Sequence, residues 1–142
     1  MAAEVAIVNI LSNNAGLLVA LGSPTGTNAK VHMGRAPQRE QAPFVLVVRE
    51  STLPSDTKGN VSRVDEEMIK VSCYATDYAS SLAISLAMRA AIDGITAQSF
   101  TIGIMTVNID AIWFHDEIYA AQENVNNVFD MFEQTYSVRV KY

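Results

Sequence analysis

Residues 42–50 read APFVLVVRE, residues 51–67 read STLPSDTKGNVSRVDEE, and residues 68–94 read MIKVSCYATDYASSLAISLAMRAAIDG. The order is an extended apolar run, a polar loop, an alternating strand and a helix. Phe44–Glu50 is apolar on both faces, Phe44, Leu46 and Val48 against Val45 and Val47. It reads as a strand that is central or covered on both sides. Pro54, Ser55, Asp56, Gly59 and Asn60 mark Ser51–Arg63 as a long hairpin loop. The alternation resumes over Val64–Ala75, with Ile69, Val71, Cys73 and Ala75 on one face and Met68, Lys70, Ser72 and Tyr74 on the other. Asp77 is placed to cap a helix that continues to Asp93, because its side chain can accept a free N–H of the first turn. Ala79, Leu82, Ala83, Leu86, Met88 and Ala90 would form its buried stripe, and Gly94 would stop it.

Upstream, Ile7, Ile10 and Leu11 share a helical face within Ala2–Asn13, and Leu17, Leu18 and Leu21 resume the pattern after Asn13-Asn14. One interrupted helix or two short ones would end at Gly22. Ser23–Asn28 has turn chemistry but lacks the lysine and hydroxyl ending of a phosphate loop. Lys30–Met33 is a candidate short strand and Gly34–Ala42 a loop. Downstream, Phe100–Phe114 reads as one strand with Met105, Val107, Ile109, Ala111 and Trp113 on a common face. Residues 115–126 read as irregular or a short helical turn. From Val128 onward Phe132, Tyr136, Val138, Val140 and Tyr142 alternate with Glu133, Thr135, Ser137, Arg139 and Lys141. The element order α-β-β-α-β-β predicts an α+β fold, a largely antiparallel sheet packed with an N-terminal helix and one central helix.

The 142 residues suit a single domain, 1–142, able to bury a real core. Only 18% of residues are charged, a low share that suggests surface covered by other subunits. The single cysteine, Cys73, excludes an internal disulfide and reads as a small buried hydrophobe. The N-terminal stretch lacks a basic region, so no signal peptide is expected, and no apolar run is long enough for a membrane helix. Synthesis inside the cell and no membrane partner are the expectations. Charge is unevenly spread. Residues 30–63 hold six bases (Lys30, Arg35, Arg39, Arg49, Lys58 and Arg63) against three acids (Glu40, Glu50 and Asp56) within a chain of net charge −5. Between Arg89 and Arg139 there is no Lys or Arg, but there are seven acids: Asp93, Asp110, Asp116, Glu117, Glu123, Asp130 and Glu133.

Catalytic patterns are scarce. His32 and His115 lack partners at triad or metal-ligand spacing, and adjacent His115, Asp116 and Glu117 read as solvated loop residues. Asp65, Glu66 and Glu67 read as a solvated strand end rather than a cation site. No Gly-x-Ser-x-Gly elbow occurs. Trp113 and Tyr74 read as core or interface anchors. Nucleic-acid recognition motifs are missing and the net charge opposes phosphate binding. The reading is a non-enzyme with no catalytic residues, no metal and no cofactor.

The residues Ala42-Pro43-Phe44-Val45, Ile69–Ala75, Tyr78-Ala79 and Met88–Gly94, with the Ser-Val-Arg-Val-Lys-Tyr ending at 137–142, form a pattern over nearly the whole chain. That pattern resembles the tail-terminator or tail-completion proteins of long-tailed bacteriophages; the acidic stretch 115–127 departs from it. The resemblance implies a structural virion protein, assembled in the host cytoplasm into a homo-hexameric ring in the tail-neck region. Such a ring caps the tail tube, stops its polymerisation and meets the head's connector, adaptor or stopper protein, while genomic DNA transits the lumen without specific binding. A closed ring needs one patch to meet a different patch on the neighbour. Arg35 and Arg39 against Asp116, Glu117 and Glu123 are the candidate subunit-interface charges. The loop with Asp56, Lys58, Asn60 and Arg63 is the candidate contact with the tail tube. Another neck component, such as a head-completion or adaptor protein, or a small α+β enzyme or ligand-binding module, are the alternative readings.

Overall fold

The alternation of Val64–Ala75 produces a strand with those same limits in the computed structural model. The structure describes residues 3–22, 30–36, 42–54, 64–124 and 127–141, without the side chains at 54, 102, 105, 122–124 and 127–129. In chain order the elements are α1 (Ala3–Ser12), α2 (Ala15–Ala20), β1 (Val31–Met33), β2 (Phe44–Pro54), β3 (Val64–Ala75), α3 (Tyr78–Ile92), β4 (Thr96–Ile102), β5 (Met105–Asn124) and β6 (Asn127–Lys141). The strands form one six-stranded sheet in the order β1-β2-β3-β6-β5-β4. β1 runs parallel to β2, and every other neighbouring pair is antiparallel. The fold is α+β with a largely antiparallel sheet, as expected.

The helices cover one face of the sheet. α1 packs on β1, β2 and β3 and reaches β4 and β5, α3 packs on β3 and β6, and α2 packs against α3. Ile7, Leu11 and Leu17 meet Val45, Val47, Ile69, Val71, Ile109, Tyr136, Val138 and Val140 in one buried cluster. Full burial of each such side chain contributes about 1.5–3 kcal/mol relative to exposure. Cys73 lies inside this cluster, as its place in the alternation implied.

Local sequence signals set the helix limits. The N-terminal segment is two helices, because the Asn14 side chain accepts the N–H of Leu17 at 2.9 Å and starts α2 afresh. Asp77 caps α3 by accepting the N–H of Ser80 at 3.2 Å, and Gly94 follows with φ of 81°. The buried stripe of α3 departs from expectation. Ser81, Ile84, Ser85, Met88 and Ile92 face the sheet, whereas Ala79, Ala83 and Ala90 are exposed and Leu86 is 61% exposed. The two serines tolerate burial because Ser81 Oγ donates to the carbonyl of Asp130 at 3.0 Å and Ser85 Oγ to that of Leu82 at 2.7 Å.

The C-terminal half corrects three further expectations. Phe100–Phe114 is not one strand, because the chain reverses at Gly103, with φ of 62°, and β4 pairs back on β5. Residues 115–124 are neither irregular nor helical but continue β5, so His115, Asp116 and Glu117 lie on a strand. Register shifts at Ile109/Ala111 and Phe114/Asp116 each add a residue to β5 and switch its faces. Val107, Ile109, Ile112 and Phe114 therefore point toward the helices, while Trp113 lies on the other face, 43% exposed rather than a core anchor. β2 runs on to Pro54, past the expected end at Glu50. Among the described residues no element covers its second face, where Phe44 and Leu46 are half-buried and Val48 is exposed. β6 has the predicted alternation, but the Ser23–Asn28 turn, the Val128 side chain, Tyr142 and most of the Ser51–Arg63 loop lie outside the described residues.

Candidate functional site

The two ends of the sheet differ in how their free hydrogen-bonding edges are managed. β1, at one end, pairs Val31–Met33 with Val45–Val47. Beyond Val47, β2 carries a register shift between Arg49 and Ser51 and ends at Pro54, both of which discourage a further strand. At the other end β4 accompanies β5 only as far as Ala111. The next outward amides are capped locally. Ile112 N–H donates to the Ile95 carbonyl at 2.9 Å and Phe114 N–H to Asp93 Oδ1 at 3.3 Å. From His115 to Asn124, no described strand pairs β5 on that side. Ile118 is 55% exposed there, and Tyr119 beside it is also exposed.

Most charges of the described residues are paired within the chain. Arg49 lies 3.4 Å from Glu67 and 3.9 Å from Glu4. Lys70 lies 3.5 Å from Glu50 and 3.4 Å from Glu133, and Asp110 holds both Arg139 and Lys141. Glu133, ahead of Glu50, raises the Lys70 pKa. Arg89 pairs with Asp93 at 3.8 Å and lies over the Phe114 ring, 3.8 Å from its centroid. Arg35 and Asp116 differ. Both are exposed, and neither has an ion-pair partner among the described residues. Arg35 lies two residues past the end of β1, and Asp116 sits on the part of β5 that β4 does not pair, so the two stand at opposite edges of one sheet.

The remaining expected interface residues divide. Glu117, also on the free part of β5, accepts a hydrogen bond from Gln134 Nε2 at 2.7 Å. The backbone of Glu123 lies in β5 opposite Val128. Arg39, Asp56, Lys58, Asn60 and Arg63 lie outside the described residues. Sequence reasoning missed the free edge of β5; its signal is the run from Met105 to Asn124 without Gly or Pro.

Two polar clusters are internal. Gln134 Nε2 donates to the Ser85 carbonyl at 2.8 Å as well as to Glu117, and Gln134 Oε1 accepts the Tyr136 hydroxyl at 2.6 Å. Burial pushes the Tyr136 pKa well above the usual phenol range. Glu67, expected on a solvated strand end, is 0% exposed and accepts the N–H of Ala3 at 2.8 Å. Burial raises its pKa, against the lowering effects of that hydrogen bond and of Arg49. A shallow groove is lined by Glu66, Trp113, Phe114, His115 and Ser137. Among the described residues no three His, Cys, Asp or Glu side chains gather as a metal site, and no helix is long and apolar enough to cross a membrane.

No family model matches the sequence, and no curated protein does. The fold does have a counterpart. A chain from the virion of a native gene transfer agent particle matches with a TM-score of 0.66, over 98% of this chain and 94% of that one. The two are 16% identical, so the likeness is one of fold.

Proposed function

We propose that the protein is a structural component of a phage-like virion and, within it, the tail terminator: a non-enzymatic hexameric ring that caps the tail tube and joins it to the head connector. The observation that carries this reading is the match along almost the full length of both chains to a virion protein. It is joined by the resemblance in residues 42–94, which now correspond to β2, β3 and α3, the middle of the sheet and the helix laid on it. A ring of identical subunits needs two different complementary patches on each copy. Arg35 and Asp116, exposed at the two sheet edges and without an ion-pair partner among the described residues, have the required opposite signs. A net charge of −5 per copy also disfavours retention of DNA phosphates in a lumen.

The test is electron microscopy of particles assembled without this protein. Overlong tails are the expected result. Tails of normal length that fail to join heads would instead make it a joining protein of the neck, and normal infectious particles would overturn both roles.

A further inference from the structure

We infer that copies of this chain associate by strand addition, the outer edge of β1 in one copy pairing with the outer edge of β5, from Asp116 to Ala121, in the next. This deepens the ring reading above and rests on it. A strand edge with free N–H and C=O groups is a template for another strand unless charge, proline or a bulge blocks it. The free part of β2 is blocked by its register shift and by Pro54. β5 is different. Ile112 and Phe114 turn their N–H groups outward, to Ile95 and Asp93. The extra residue at 115 shifts the alternation, so that Glu117, Tyr119 and Ala121 turn theirs outward next. No described strand receives those three, and Ile118–Ala121 contains no charge, proline or bulge.

The occupant is argued from charge and from topology. The free edge of β5 begins at Asp116 and Glu117, in a stretch without Lys or Arg from 90 to 138. The complementary edge on the same chain is β1, flanked by Lys30 and Arg35, where β2 pairs on one side only. In the parallel pair, Lys30 O accepts from Val45 and Gly34 N donates to Val47, so Val31 and Met33 turn their N–H groups away from β2. Arg35 and Asp116 would neutralise one another across the junction, which leaves neither charge unpaired. Because β1 and the free part of β5 lie at opposite edges of one sheet, each copy offers two different edges, each with free N–H and C=O groups. Repetition then gives a head-to-tail series that can close.

Arg35→Glu and Asp116→Arg, made singly and together, test the inference with native mass spectrometry and sedimentation. Each single reversal is expected to raise the concentration needed for assembly by roughly tenfold or more, and the double reversal to restore it. Circular dichroism should be unchanged, since both sites are exposed. A second probe places cysteines at His32 and Ile118, which share the uncovered face, and treats the assembled protein with a short bismaleimide. The single native cysteine, Cys73, is buried. A covalent ladder up to the full ring is expected. A ring unaffected by single reversals and giving no ladder would overturn strand addition while leaving the ring reading intact. Rings that persist while a single reversal abolishes binding of another virion protein would likewise overturn it, assigning the edge to that partner. A wild-type chain that stays monomeric, even with tail tubes present, would overturn both.

Discussion

The Glu67 carboxylate accepts the backbone N–H of Ala3 at 2.8 Å, joining residues 64 positions apart in sequence. This contact fixes the first turn of α1 on β3, with Arg49 and Glu4 in the same cluster. Burial, opposed by the Ala3 N–H and Arg49, raises the Glu67 pKa above its ordinary 4.5. Between the ordinary and the raised value the folded chain holds more protons than the unfolded one, so this group's contribution to stability falls as pH rises through that window. Glu67→Gln keeps an acceptor for Ala3 but cannot ionise, and should remove that slope. Glu67→Ala should lose about 2–3 kcal/mol at the acid end of that window and less above it, because Ala3 N–H and Arg49 lose their buried acceptor while the cost of burying the ionised carboxylate is also removed. Urea denaturation from about pH 4 to about pH 7 measures both.

The orientation of α3 makes a second prediction. Ile84→Ala and Met88→Ala should each destabilise the subunit by about 2–5 kcal/mol, since both side chains are fully buried against the sheet. Leu86→Ala should change stability by less than about 0.5 kcal/mol. The reverse ranking in chemical denaturation would mean that the helix is rotated from the orientation described.

The buried Gln134 side chain links the Ser85 carbonyl, the Tyr136 hydroxyl and the exposed Glu117 carboxylate. Gln134→Leu should cost about 2 kcal/mol or more, as the Ser85 carbonyl, Glu117 and the Tyr136 hydroxyl lose their bonds together. Tyr136→Phe should cost about 1 kcal/mol. In a double-mutant cycle the two effects should fall short of additivity, because they remove one shared hydrogen bond.

Ala97 has φ of 42°, a left-handed conformation that disfavours any residue with a Cβ. It sits where β4 skips a partner between Thr96 and Gln98. Ala97→Gly should raise stability by up to about 1 kcal/mol, read as an increase in thermal midpoint without loss of cooperativity.

Legibility in the sequence followed the regularity of the backbone. β3 could be read to the residue because it pairs with β6 without a register shift, so its faces alternate strictly even though Ser72 on the second face is also buried. β6 was legible from Phe132 to Lys141 for the same reason. β5 was not, because two inserted residues switch its faces, and a fixed period of two then assigns Trp113 to the core. The stripe of α3 was misplaced because Ser81 and Ser85 look polar, while their hydroxyls are satisfied by nearby carbonyls and leave them free to face the sheet. At the candidate site Arg35 and Asp116 were visible as members of a charge asymmetry. Their lack of an ion-pair partner among the described residues, and their location at opposite edges, depend on pairings between strands far apart in the chain. Only the topology supplies those.

The central position of β6, between β3 and β5, has a consequence for biosynthesis. The ribosome makes this strand after all the other described ones, so β3 and β5 emerge with a gap between them that only residues 127–141 can fill. Strand pairing between the β1-β2-β3 half of the sheet and the β5-β4 half therefore passes through β6 alone among the described strands. The relation of the two outer edges to one another is accordingly set by the last described strand to be made.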